Sequence, residues 1–230
     1  MANNLTIEEL KKIISEGKLK CSENIIQNGK LINRDSASVD YKISQGWDVV
    51  ASDMCDREWK KFNLELFEMI ENKKYSDDEL SDVLSKIQTQ DSHWNWLSKS
   101  VVCRGEEYEW FYMFAEDKPQ GACLIYHPKD SVIDSKNIFY IEFVAVAPWN
   151  RDTPFEKRIY GGIGSLLIKC ALKFATEKLN LVPGFSLHSL PQSRAYYEKI
   201  GMKNYAKRDK KNLAYFELPR KNAEALLSTS

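Results

Sequence analysis

Three of the chain's ten glycines, Gly161, Gly162 and Gly164, lie in the stretch "RIYGGIGSLLIKCALKFATEKL" of residues 158–179. The apolar run "FYIEFVAVAP" before them predicts a buried strand, and the apolar spacing after them predicts a helix from about residue 162 to 179. The first N–H groups of a helix lack partners within it, and glycine lets a large anion approach them. The stretch therefore predicts a phosphate-binding turn, with a tight turn for close helix–strand packing as the alternative.

Two common phosphate motifs do not fit this glycine turn. The dinucleotide-binding motif G-x-G-x-x-G needs a small residue at position 167, where the sequence has Leu167. The P-loop needs Gly-Lys followed by Ser or Thr, and the chain contains no such string. The glycine turn therefore carries neither of these two motifs.

Two motifs then identify a family resemblance. The stretch "FVAVAPWNR…YGGIGSLLI" resembles the strand-four, loop and helix-three signature of the GNAT superfamily of acyl-coenzyme A N-acetyltransferases. Further on, "SRAYYEKIGM" is similar to the family's A-x-x-F-Y-E-K-x-G-F segment on helix four. A subset of the family shares the "APWNR" stretch and the long loop before the glycine turn. The sequence departs from the family at Ile159, where a basic residue is usual (Arg158 lies one place early), and at Met202, where phenylalanine is usual.

The resemblance implies acetyl-coenzyme A as the acyl donor. Its pantetheine arm would pair with the strand-four backbone, and its pyrophosphate would lie on the N–H groups of the glycine turn. The implied cofactor-binding residues are Val144, Ala145, Val146, Tyr160, Gly161, Gly162, Ile163, Gly164 and Ser165. Whether Arg151 or Arg158 also contacts the pyrophosphate stays open.

The resemblance also implies two catalytic residues. Tyr197 occupies the family's tyrosine position and would donate a proton to the departing thiolate, because a phenol is protonated at neutral pH. Its alternative is a packing aromatic, although the neighbouring Tyr196 is the better candidate for that role. Glu142 is the expected base, since a carboxylate in an apolar strand is costly unless it is paired or faces a cleft. A structural salt bridge is the alternative for Glu142.

Other polar residues carry weaker expectations. His188, on the strand "GFSLHSL", is predicted to be structural, with contact to substrate or a proton relay as the alternative. His93 is placed near the acceptor side. The acidic cluster Asp77, Asp78, Glu79 and Asp82 is predicted to stabilise a helix start rather than attract an amine. Three histidines in unrelated segments give no metal-ligand spacing, so no metal is expected.

The element order predicts a mixed α/β fold, a GNAT-like twisted central sheet flanked by helices. We expect a helix and hairpin extension in residues 1–46, the acetyltransferase domain in 47–218 and a C-terminal tail in 219–230. Within the extension, Asn28-Gly29 predicts a hairpin turn. The segment "WDVVAS" at 47–52 predicts a strand, and 118–120 a second hairpin turn. Capping boxes begin at Thr6 and Ser76.

Composition limits the setting and the partners. Thirty-three basic and 33 acidic residues cancel, which disfavours a broad nucleic-acid surface. Five scattered cysteines and the lack of a long apolar segment predict a cytoplasmic protein with no membrane attachment. The expected activity is transfer of an acetyl group to a primary amine of a small molecule or a protein. The alternatives are a longer acyl donor and a non-catalytic coenzyme A-binding module; a homodimer is one of the oligomeric states left open.

Overall fold

The computed structural model of the chain describes residues 6–228. The helices are α1 (Ile7–Ser15), α2 (Val49–Asn72), α3 (Asp77–Ser85), α4 (Trp96–Val102), α5 (Ile163–Glu177), α6 (Arg194–Lys199) and α7 (Arg220–Ser228). The strands are β1 (Ile25–Ile32), β2 (Ser38–Gln45), β3 (Tyr108–Ala115), β4 (Lys118–Asp130), β5 (Asn137–Val146), β6 (Phe185–Ser189), β7 (Lys203–Asn204) and β8 (Ala214–Leu218). They form an eight-stranded sheet in the order β1-β2-β3-β4-β5-β6-β8-β7, which confirms the predicted mixed α/β class. No helix within residues 6–228 has the length and apolarity to cross a membrane.

The hairpin turn predicted at Asn28-Gly29 is wrong. Both residues lie inside β1 and pair with Lys42 and Tyr41 of β2. The turn instead follows β1, where the Asn33 side chain accepts hydrogen bonds from the backbone N–H groups of residues 35 and 37. Gly29 serves a close approach, because a Cβ atom there would lie 2.6 Å from the Tyr41 ring.

The strand predicted at 47–52 is also wrong, since this segment begins α2. The Asp48 carboxylate accepts hydrogen bonds from the N–H groups of Val50 and Ala51, both at 2.9 Å. This N-cap outweighs the β preference of two adjacent valines. The predicted capping boxes at Thr6 and Ser76 are confirmed at the starts of α1 and α3.

The chain divides into two compact units. The first comprises the described residues up to Arg104, with Tyr112–Gly121 and Val146–Gly161. Within it, the hairpin between β3 and β4 turns at Glu116 and Asp117, whose φ angles are 51° and 56°. Two consecutive positive φ values are typical of a type I′ turn. The predicted hairpin is therefore confirmed, but the turn position predicted at 118–120 is wrong, because these residues already belong to β4.

The second unit comprises Gly105–Phe111, Ala122–Ala145 and the described residues from Gly162 onward. In it, β5 and β6 are parallel, with Phe139–Ile141 opposite Phe185–Leu187, and β6 is antiparallel to β8. Because side chains alternate along a strand, Tyr140 and Glu142 share one face of the sheet with His188 and Tyr215. The opposite face carries the apolar residues Phe139, Ile141, Phe185, Leu187 and Phe216.

Candidate functional site

The glycine turn lies exposed at the start of α5. Gly162 is the N-cap residue with φ +79°, a left-handed conformation that side-chain-bearing residues rarely adopt. A Cβ atom at Gly162 would meet no other atom within 4 Å, so backbone conformation rather than crowding requires this glycine. The N–H groups of Ile163, Gly164 and Ser165 have no carbonyl partner four residues earlier within the helix. The turn therefore offers backbone donors and open space to an anion.

The hydroxyl of Ser165 is positioned by α6. The Tyr196 hydroxyl donates to Ser165 Oγ at 3.0 Å, which leaves the serine hydrogen able to donate to a ligand. Burial raises the pKa of Tyr196, so the phenol stays protonated. The sequence favours Tyr196 as a packing aromatic. In the structure its hydroxyl is hydrogen-bonded to Ser165 in the first turn of α5.

Tyr197 is the more buried of the two adjacent tyrosines, at 6% exposed. Its ring packs on Phe216 with centroids 6.3 Å apart, on the face of the sheet opposite Glu142. Burial also raises the pKa of Tyr197 well above its ordinary value. Its phenol is therefore protonated at neutral pH, and its ring has the packing role expected as the alternative for Tyr197.

The "PWNR" residues fasten the long loop within the first unit. Trp149 Nε1 and Asn150 Nδ2 donate to Gln120 Oε1 at 2.8 and 2.9 Å. Asn150 Oδ1 accepts the N–H of Tyr160 at 3.1 Å. The Tyr160 N–H already has a partner within the loop. This backbone group is therefore not available to a pyrophosphate, although the sequence predicts Tyr160 as a cofactor-binding residue.

Arg151 is fully engaged in the same loop. Its two terminal nitrogens each donate to Asp91 at 2.6 Å, and they also donate to the carbonyls of Gln88 and Val146, both at 2.8 Å. The Arg151 and Asp91 side chains are 11% and 6% exposed. Arg151 therefore holds the loop, and its contact with the Val146 carbonyl occupies one acceptor of the strand segment implied to bind pantetheine.

Arg158 and the N-terminal hairpin contact the residues that precede the glycine turn. Arg158 is 56% exposed, and its Nε lies 3.8 Å from where a Cβ atom on Gly161 would be. Arg34, at the hairpin turn, donates from its backbone N–H to the carbonyl of Ile159 at 2.9 Å. Its guanidinium donates to Glu156 and to the Lys157 carbonyl, both at 3.0 Å. The predicted extension thus fixes the residues that lead into the turn.

A cavity of about 550 Å³ opens on the polar face of the second unit. Glu142 and His188 both line it, together with Tyr140 and Tyr215. The Tyr140 hydroxyl lies 2.6 Å from His188 Nδ1, and His188 Nε2 lies 2.9 Å from the Arg208 carbonyl. Because a carbonyl only accepts, Nε2 carries the proton, and the neutral ring accepts from Tyr140 at Nδ1.

Burial and neighbouring charge keep this cluster in one protonation state. Burial lowers the pKa of His188, and the charges of Lys210 and Lys129 add to this, whereas the hydrogen bond to the Arg208 carbonyl and the charge of Asp209 partly oppose it. Burial, followed by the charge of Glu142, raises the pKa of Tyr140. Burial also raises the pKa of Tyr215 to about 12. At neutral pH the histidine is therefore neutral and both phenols are protonated.

A buried carboxylate fixes one wall of the cavity. Glu217 is 1% exposed and accepts hydrogen bonds from Ser131 Oγ at 2.5 Å, the Val132 N–H at 3.0 Å and the Tyr215 hydroxyl at 3.1 Å. Three donors satisfy the buried charge and tie the β4–β5 loop to β8. The cavity wall is therefore preorganised.

The other polar residues singled out in the sequence lie in the first unit. His93 is exposed in the turn before α4. In the acidic cluster, Glu79 completes the Ser76 capping box and Asp82 pairs with Lys86 at 2.5 Å, in agreement with a structural role. Within residues 6–228, no group of three or more His, Cys, Asp or Glu side chains is arranged to hold a metal ion.

Sequence reasoning missed the tyrosines and cations of the cavity. The alternation that selected Glu142 also placed Tyr140 on the same face, and that signal could have found it. Arg208 and Lys210 lie before a strand far along the chain, in a region where lysines are frequent, so no local pattern marked them.

Comparison with known proteins identifies the fold. No family model and no curated protein match the chain. Among solved structures, the GNAT domain of S. lividans PAT matches with a TM-score of 0.50 and 7% identity, over 83% of this chain and 96% of that domain. The PaiA N-acetyltransferase from Thermoplasma acidophilum in complex with coenzyme A matches with a TM-score of 0.44 and 13% identity, over 76% and 97%. A KacTA–DNA complex matches with a TM-score of 0.44 and 13% identity, over 61% and 82%. At these identities the similarity concerns architecture, and the likeness to the S. lividans domain shows that the chain has the GNAT fold.

Proposed function

We propose that the protein is an acetyl-coenzyme A-dependent N-acetyltransferase that acts on a primary amine. The observation that carries this proposal is the exposed glycine turn at the start of α5 in a chain with the GNAT fold. Two features support the proposal. The turn presents backbone N–H donors that have no partner within the helix, and the cavity on the polar face of the sheet contains Glu142, whose carboxylate can attract an amine. The same motifs support membership of the "APWNR" subset.

The turn fits a pyrophosphate. Gly161 and Gly162 are exposed and have no side chain to block a ligand, and the amides of Ile163, Gly164 and Ser165 lie in the first turn of α5. Arg158 is the basic residue available beside Gly161, whereas Arg151 is committed to Asp91. We therefore assign Arg158, together with residues 161–165, to the pyrophosphate, and the backbone of Val144 and Ala145 to the pantetheine arm.

Each proposed catalytic residue has one task. When bound, the donor supplies a thioester carbonyl that a neutral amine can attack. Glu142 attracts the ammonium form of the acceptor and takes its proton, directly or through water, so that the amine becomes nucleophilic. As the amine nitrogen bonds to the carbonyl carbon and the carbon–sulfur bond breaks, Tyr197 would supply a proton to the departing sulfur. Tyr140 and His188 hold the cavity in shape beside Glu142.

The first test is calorimetric titration with acetyl-coenzyme A, beside dephospho-coenzyme A and NADH. Gly161→Ala should leave the unfolding temperature unchanged, because its Cβ would meet only Arg158 Nε at 3.8 Å. It should nevertheless weaken acetyl-coenzyme A binding about tenfold, or about 1.4 kcal/mol, by blocking the approach to the turn. Equal affinity in both proteins, or no binding to the wild type, would refute the assigned pyrophosphate site.

The second test separates an enzyme from a non-catalytic coenzyme A-binding module. Tyr197→Phe keeps the packing on Phe216 but removes the hydroxyl. We expect kcat to fall about 100-fold, in the range typical of general acid catalysis, while acetyl-coenzyme A affinity is retained. Unchanged turnover would remove Tyr197 from the mechanism, and binding without turnover in the wild type would favour the non-catalytic module.

A further inference from the structure

The cavity that contains Glu142 also carries three cations. Lys129 lies at the end of β4, and Arg208 and Lys210 lie in the segment between β7 and β8. All three side chains are exposed. In the part of the chain that the structure describes, none of the three has a carboxylate within 4 Å of its charged nitrogens. Asp130 and Glu142 are the carboxylates among the lining residues.

The cations and Glu142 occupy different parts of the cavity. Glu142, Tyr140 and His188 are partly buried on the strands that form its floor. The three cations lie on its exposed rim together with one carboxylate, Asp130, so the rim keeps an excess of positive charge. A ligand that spans floor and rim would meet a carboxylate at one end and positive charge at the other. Unpaired cations at a rim attract anions and raise their local concentration.

The rim is also held in place. The Arg208 carbonyl accepts a hydrogen bond from His188 Nε2–H, and this bond connects the β7–β8 segment to β6. On that segment, Asp209 accepts a hydrogen bond from the Tyr215 N–H at 2.8 Å, which holds the segment against β8. Across the cavity, Glu217 fixes the loop that follows Lys129 and Asp130. Such preorganisation favours recognition of a defined ligand.

We propose that the acceptor is a small primary amine that also carries an anionic group, a carboxylate or a phosphate. Its ammonium would lie at Glu142 and its anionic group at Lys129, Arg208 and Lys210. This inference rests on the proposed acetyl transfer and specifies its acceptor. A cavity of about 550 Å³ lies in the size range of small-molecule sites. A polyamine would place further positive charge against the cationic rim.

The experiment compares matched amines in an assay of coenzyme A release. The pairs are phosphoethanolamine with ethanolamine, 4-aminobutyrate with butylamine, and glucosamine 6-phosphate with glucosamine, with spermidine as the polycation. In at least one pair, the member that carries the carboxylate or phosphate should have kcat/KM about tenfold higher than the member without it, equivalent to one good charge contact. The phosphate and carboxylate pairs show which anion is recognised. Equal kcat/KM within every pair, or preference for spermidine, would overturn the proposal.

Variants locate the effect in the cavity. Lys129→Gln/Lys210→Gln should reduce kcat/KM about tenfold for the preferred amine with an anionic group, and should change kcat/KM far less for its partner without that group. Lys207→Gln is the matched control, because Lys207 is exposed on the same segment but does not line the cavity. An equal loss in the control variant, or no loss in the double variant, would contradict the assignment.

Equilibrium binding distinguishes failure of this inference from failure of the proposed function. Calorimetric titration with each amine that carries an anionic group, in the absence of acetyl-coenzyme A, measures the affinity of the cavity for that amine. Binding that is lost in Lys129→Gln/Lys210→Gln, without acetyl transfer, would support the anion site and refute the proposed reaction. The opposite result is acetyl transfer to amines with and without an anionic group at equal rates that the double variant does not change. This result would support the reaction and refute the anion site.

Discussion

Removing one partner of the ion pair between Arg151 and Asp91 should cost more stability than breaking any exposed pair within residues 6–228. Arg151 donates to both oxygens of Asp91 at 2.6 Å and to two backbone carbonyls, and both side chains are nearly buried. Arg151→Ala would leave the Asp91 carboxylate buried without its counter-ion. Removing one partner of a buried pair costs about 3–5 kcal/mol, because the remaining charge is uncompensated. Arg151→Lys should lose about half of this, since one ammonium cannot replace a bidentate guanidinium.

Urea unfolding followed by tryptophan fluorescence measures this loss. With a urea m-value of about 3 kcal/mol/M, a loss of 3–5 kcal/mol lowers the midpoint by about 1–1.7 M. Arg158→Ala is the matched control, because Arg158 is 56% exposed and its nearest carboxylate oxygen, on Asp152, is 3.8 Å away. Its midpoint should change by less than about 0.3 M, as expected for an exposed pair.

A double variant tests the physical reason for the cost. Arg151→Met/Asp91→Leu removes both charges, so it should recover much of the stability that Arg151→Ala loses. If Arg151→Ala lowers the midpoint no more than Arg158→Ala does, the pair does not hold the loop. If the double variant is as unstable as the sum of its single changes, the uncompensated charge is not the cause.

Two further predictions concern the hairpin and the cavity. Arg34→Ala should weaken acetyl-coenzyme A binding about threefold by calorimetry, because the residues before the glycine turn lose two hydrogen bonds; Lys30→Ala, in an exposed pair with Asp40 on the same hairpin, should not. Burial lowers the pKa of His188 below its unfolded value, so its contribution to stability is present above about pH 6.5 and is lost as the pH falls. His188→Gln should therefore flatten the fall in unfolding temperature between pH 7.5 and 5, and an unchanged slope would contradict this.

The parts of the fold that could be predicted depend on local signals. The capping boxes at Thr6 and Ser76 and the glycine before α5 are short motifs whose hydrogen bonds form within a few residues. Two of the three errors in the fold arose where a local signal was overridden. Asn28-Gly29 resembles a turn, but the strand continues because Gly29 admits the Tyr41 ring, and "WDVVAS" resembles a strand, but Asp48 caps a helix.

The candidate site was predictable only in part, because its contacts join distant segments. Arg34 and Glu156, which form an ion pair beside the glycine turn, are 122 positions apart. Arg151 could not be distinguished from Arg158 by sequence, since only the position of Asp91 shows that the first is engaged. The cations of the cavity come from β4 and from the β7–β8 segment, which the sheet brings to one face.

The alternation of β5 explains why one strand can serve both stability and chemistry. Phe139 and Ile141 face the apolar side. There the Phe139 and Phe185 rings stack with centroids 5.4 Å apart, and Tyr197 packs on Phe216 in the same layer. Tyr140 and Glu142 face the cavity, where burial is incomplete and the β5–β6 ladder ends at Ile141 and Leu187. A shift of one residue in register would bury Glu142 in the apolar layer and turn the phenylalanines outward. The core packing that fixes this register therefore also fixes which side of the sheet presents the Glu142 carboxylate. A substitution at Phe139 that disturbs this packing should lower the proposed activity by displacing Glu142.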